Sequence, residues 1–67
     1  MKFETELNGF VVVFSEVAGV HNWRASGMSD AAIDQRLHLG TGFKTFKDAY
    51  RDAMAATDDA KWLTANH

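Results

Sequence analysis

Asn8-Gly9 stands between two stretches that alternate or stay apolar, Lys2-Phe3-Glu4-Thr5-Glu6-Leu7 and Phe10-Val11-Val12-Val13-Phe14-Ser15-Glu16-Val17. Together they spell a β-hairpin. A type I′ turn needs positive φ at both central residues, and Asn followed by Gly reaches that geometry at the lowest steric cost. A two-residue loop pairs positions symmetrically, so Leu7 is expected to face Phe10, Thr5 to face Val12 and Phe3 to face Phe14. One face of the hairpin is then Phe3, Thr5, Leu7, Phe10, Val12 and Phe14, directed at a core. The other carries Lys2, Glu4, Glu6, Val11, Val13 and Ser15 and is expected to point away from the helices.

Ala18-Gly19 can turn the chain again and give a third strand over residues 20–26, with an irregular loop as the alternative. In that register Trp23 lies beside Phe14, Ala25 beside Val12, and Arg24 beside Val13 and near Glu4. Ser29 then reads as a helix N-cap, with Asp30 in the first turn and Gly40 as the stop; Ile33, Leu37 and Leu39 are expected to face the core. Thr45 can cap a second helix in which Phe46, Ala49, Tyr50, Ala53 and Met54 fall at helical spacing. Thr57-Asp58-Asp59 reads as a fresh N-cap for a short last helix through Trp62 and Leu63, or as a bend in the preceding one. The fold class is α+β: a small antiparallel sheet packed on one face by two to three helices.

A chain of 67 residues without proline, repeats or a low-complexity linker makes one compact domain, 1–67. At that size the core is small, an enclosed substrate cavity is not expected, and a second copy or a partner would add usefully to stability. The absence of cysteine removes disulfides, thiolate chemistry and cysteine zinc sites, and favours a reducing compartment, the cytoplasm. The longest apolar run, Phe10 to Phe14, is far short of a membrane span, and no signal segment precedes it, so the chain is expected to be soluble and to start at its own Met1.

Motifs for chemistry are sparse. His21, His38 and His67 have no second ligand type at a clamp spacing, and Asp58-Asp59 is explained by a helix N-terminus, so neither metal nor cofactor is expected. Gly40-Thr41-Gly42 has the outline of an anion-binding loop, but it lacks the Lys-Ser/Thr ending of a P-loop and reads better as a helix stop followed by a turn. Ser15, Ser26 and Ser29 are explained by strand, loop and cap, with no histidine and acid to place beside them. A non-enzyme is expected.

Two macromolecular readings remain. Arg24, Arg36, Lys44, Lys47 and Arg51 concentrate in the middle of a chain whose net charge is −2, interrupted by Asp30, Asp34 and Asp48. Gly42-Phe43-Lys44-Thr45-Phe46-Lys47-Asp48-Ala49 looks like the segment that enters the helix in small three-stranded DNA-binding domains of the phage-integrase arm-binding type. That resemblance covers eight residues and implies groove reading by a basic sheet, whereas the strands here carry Glu4, Glu6 and Glu16. Residues 29–54 can also be read as a helix-turn-helix with Gly40-Thr41-Gly42 as its turn. A DNA-binding regulator using Arg36, Lys44, Lys47 and Arg51 is accordingly the alternative. The first reading is a protein-binding module, possible as a homodimer, in which Val11 and Val13, bordered by Glu4, Glu6 and Arg24, form an apolar strip with a polar rim. A small accessory or inhibitor protein that occludes a bacterial or phage complex fits that description.

Overall fold

A computed structural model describes residues 2–65. The chain runs β1 (Lys2–Leu7), β2 (Phe10–Val17), β3 (Val20–Ser26), α1 (Asp30–Asp34), β4 (Leu39–Phe43) and α2 (Phe46–Ala65). The strands form one antiparallel meander in the order β1-β2-β3-β4. Asn8 and Gly9 have φ of 52° and 87°, as a type I′ turn requires, and the pairing Leu7↔Phe10, Thr5↔Val12, Phe3↔Phe14 is the expected one. The third strand forms in the expected register too, with Phe14↔Trp23, Val12↔Ala25 and Val13↔Arg24.

The second turn is also type I′, with Ala18 at φ 54° and Gly19 at φ 81°. Gly19 N–H donates to Glu16 Oε2 at 2.7 Å. Alanine in left-handed backbone carries a steric cost that asparagine largely avoids. Ala18→Asn is therefore expected to raise stability by about 0.5–1 kcal/mol, seen as a melting temperature higher by about 2–8 °C. An unchanged or lower value in thermal unfolding followed by circular dichroism contradicts that reading of the turn.

Downstream of β3 the structure corrects several expectations. Ser29 does cap α1, its Oγ accepting from Ala32 N–H at 3.3 Å, but the helix is only five residues long. It closes in a Schellman motif: Arg36 N–H donates to Ile33 O at 2.9 Å and Leu37 N–H to Ala32 O at 3.0 Å, with Arg36 at φ 58°. Leu37, the last residue of the motif, packs half-buried against the core, while Ile33 and Leu39, expected inside, are exposed and Ala32 is buried in their place.

Gly40-Thr41-Gly42 is neither a helix stop nor a turn but the middle of β4, where Leu39 pairs with Arg24 and Gly40 with Trp23. The same strand removes the helix-turn-helix, since no turn joins α1 to α2. A Cβ on Gly40 would overlap the Trp23 indole, so the residue that reads as a stop is instead the gap through which a buried tryptophan passes.

Thr45 caps α2 as expected, its Oγ1 accepting from Asp48 N–H at 3.1 Å. No new helix begins at Thr57: α2 is continuous for 20 residues, and Thr57 is fully buried on the face toward the sheet. Small residues there, Ala49, Ala53, Thr57 and Ala60, let the helix approach the strands closely. Two side-chain links fasten it. Trp23 Nε1–H donates to Asp52 Oδ2 at 2.9 Å, and Asn8 Nδ2–H donates to Thr57 Oγ1 at 3.0 Å, whose own hydroxyl donates to Ala53 O at 2.7 Å. The core is Leu7, Val12, Phe14, Trp23, Ala25 and Met28 from the sheet side, closed by Ala32 and the small residues of α2. The α2 helix lies mainly over β3 and β4 and only lightly over β1 and β2.

Candidate partner-binding face

Because side chains alternate along each strand, the register fixes which residues share the face opposite α2. Glu4, Val13, Arg24 and Leu39 form one row across all four strands. Glu6, Val11 and Ser26 form the row on one side; Lys2, Ser15 and Asn22 form the row on the other, followed by Val17 beside Val20. All five residues singled out from the sequence for partner binding, Glu4, Glu6, Val11, Val13 and Arg24, thus lie together. Val13 separates Glu4 from Arg24 by two strand spacings, about 9–10 Å, so the two charges flank an apolar centre instead of closing on one another.

Both helices lie on the other side. Val11 is 42% exposed, Val17 71%, Val20 44% and Leu39 39%. A shallow depression of about 720 Å³ runs along this face, lined by Lys2, Val13, Ser15, Asn22, Arg24 and Leu39. Asn22 is held in place, its Oδ1 accepting from Gly42 N–H at 3.0 Å.

A second surface lies on the core face. Phe14 packs against Phe46 with ring centroids 4.9 Å apart and against Tyr50 at 5.8 Å, while Phe3 stands 5.9 Å from Phe46. These rings line an apolar groove of about 490 Å³ at the β1 side of the core face, with Glu16 and His21 at its margin. Phe3 is 49% exposed and Phe46 40%, although the alternation of β1 assigns Phe3 to the inside. The available signals were Phe46 and Tyr50 one turn apart and Phe3 opposite Phe14; what they could not reveal was that α2 leaves this side thinly covered.

The basic residues of the alternative reading are not gathered on one element. Arg36 sits in the turn after α1, Lys44 precedes α2, and Lys47 and Arg51 are one turn apart on its exposed surface. Asp48 and Asp52 interleave with them, and α2 carries three basic against four acidic side chains. Asp58 and Asp59 lie exposed in the middle of α2, so a helix N-terminus does not explain them. His21 belongs to β3; His38, in the turn before β4, has a buried Nδ1 without a hydrogen-bond partner; His67 lies outside the described residues. Among the described residues no three His, Asp or Glu side chains are grouped so as to hold a metal ion, and no helix is long and apolar enough to cross a membrane.

Comparison with protein-family models, with curated proteins and with solved structures finds no match for this chain.

Proposed function

We propose that this protein is a non-enzymatic binding module that docks a partner protein on the uncovered face of its sheet and acts by occluding the surface it covers. One observation carries the reading: a four-stranded sheet has both helices on one side, and the opposite side presents Val11, Val13 and Leu39 between Glu4, Glu6 and Arg24. An apolar centre with a charged rim is the anatomy of a protein interface. Charges on both sides of the strip fix the partner's orientation more than they add affinity. The interleaved acids on α2 weigh against phosphate recognition there, since contacts to nucleic acid depend on unopposed basic groups.

The test is capture from bacterial lysate with purified protein tagged at its C-terminus, with and without nuclease and at two salt concentrations. A stoichiometric protein partner that survives nuclease, and is lost when Glu4 and Glu6 are both changed to Lys, supports the proposal. Recovery of nucleic acid alone, released by salt and abolished by replacing Lys44, Lys47 and Arg51, overturns it in favour of a DNA-binding regulator.

A further inference from the structure

We infer that a second copy of this chain pairs with the open edge of β1, antiparallel and centred on Phe3, to form a continuous eight-stranded sheet. The outer edge of β1 is unpaired, as β1 is the first strand in the sheet order. A two-residue type I′ loop makes Leu7↔Phe10 a hydrogen-bonded pair, so Phe3, Thr5 and Leu7 bond inward to β2, and the N–H and C=O groups of Lys2, Glu4 and Glu6 point outward. An antiparallel copy can meet those groups only in registers that pair even positions with even ones.

Charge selects among these registers. Pairing Glu4 with Glu4 of the second copy sets Lys2 opposite Glu6 twice but leaves like charges facing at the two-fold axis, and pairing Glu4 with Glu6 sets like charges opposite twice. Pairing Lys2 with Glu4 sets opposite charges face to face twice, by symmetry, and brings Phe3 against Phe3 at the two-fold axis. An edge of one sign would repel its own copy; the alternation of Lys2 and Glu4 makes this one self-complementary.

Phe3 supplies a second reason: it is the residue of β1 that lines the aromatic groove, and it is half-exposed there. In the selected register Phe3 of each copy stands against Phe3 of the other on the core face, and each half-exposed ring is covered at the two-fold axis. The opposite edge is a poorer template, because β4 is only five residues long, contains two glycines, and shifts register against β3 between His21 and Trp23. An interface of this extent belongs to the small class, below about 1,200 Å², so the association is weak and depends on concentration.

Sedimentation velocity on the full chain from about 10 μM to 1 mM tests the inference. The expected result is a dimer that grows with concentration. Lys2→Glu and Glu4→Lys should each raise the dissociation constant at least about tenfold, and the double exchange should restore it to within about threefold of the parent. Both positions are exposed, and circular dichroism checks that each variant is folded. A monomer at all concentrations overturns the inference, as does a dimer that either single change leaves intact or the double exchange fails to restore. A dimer lost only in Val13→Glu places the two-fold axis on the outer face and likewise overturns it.

Discussion

Gly40→Ala is expected to cost about 2–4 kcal/mol, the largest effect of any single methyl in this chain. A Cβ at Gly40 would overlap Trp23 Nε1 and lie 2.9 Å from Trp23 Cε2 and 2.5 Å from Asp52 Oδ2. Asp52 is exposed and can swing away. Trp23 cannot: it is 2% exposed, paired with Phe14 on one side and with Gly40 itself on the other. Relief therefore requires either the indole or β4 to move, and either movement breaks the 2.9 Å bond from Trp23 to Asp52 that ties the sheet to α2. A domain of this size has about 3–10 kcal/mol of total stability, so the loss is a large share of it. Urea unfolding of Gly40→Ala in the parent and in a Trp23→Leu background separates the cause. The increment should shrink below about 1 kcal/mol once the indole is gone; an equal increment in both backgrounds would show that backbone freedom, not the clash, is what Gly40 contributes.

The second large effect is at Asn8, which serves two structures at once. Its backbone occupies the left-handed region of the first turn, and its side chain donates to Thr57 Oγ1 at 3.0 Å and to Met54 O at 3.4 Å on α2. Asn8→Gly keeps the turn and removes the link, and should cost about 1 kcal/mol. Asn8→Ala removes both and should cost about 2–3 kcal/mol. Thr57→Val tests the link from the helix side and should be nearly neutral in the Asn8→Gly background apart from the lost bond to Ala53 O. If Asn8→Gly matches the parent in urea unfolding, the side-chain link contributes nothing and the hairpin is fastened to α2 by its apolar contacts alone.

Where local chemistry and the tertiary structure agree, the sequence could be read closely. Asn8-Gly9 determines the first turn, the turn sets the register, and the register carries through Ala18-Gly19 to place Trp23 beside Phe14 and Arg24 beside Val13. The caps Ser29 and Thr45 act locally and were legible for the same reason. The candidate face followed from period-two alternation alone, which is why its five residues fall together.

The misread positions are those at which a distant contact overrides a local signal. Gly40 and Gly42 have the composition of a turn, yet β4 exists because Gly40 leaves room for an indole contributed by β3. Thr57-Asp58-Asp59 has the composition of a cap, yet Thr57 turns its hydroxyl back to Ala53 O and holds Asn8 while the helix continues past it. The aromatic groove depends on where α2 lies across the sheet, a property of no single segment.

The proposed function makes the uncovered sheet face, not the basic start of α2, the working surface. Affinity for the captured partner, measured by isothermal titration calorimetry for two folded variants, decides between the two surfaces. Val13→Glu with Arg24→Glu should weaken binding by about a hundredfold or more, while Lys44, Lys47 and Arg51 changed together to Glu should leave it within about threefold of the parent. The opposite pattern, tight binding by the sheet variant and loss in the helix variant, would place the working surface on α2 instead.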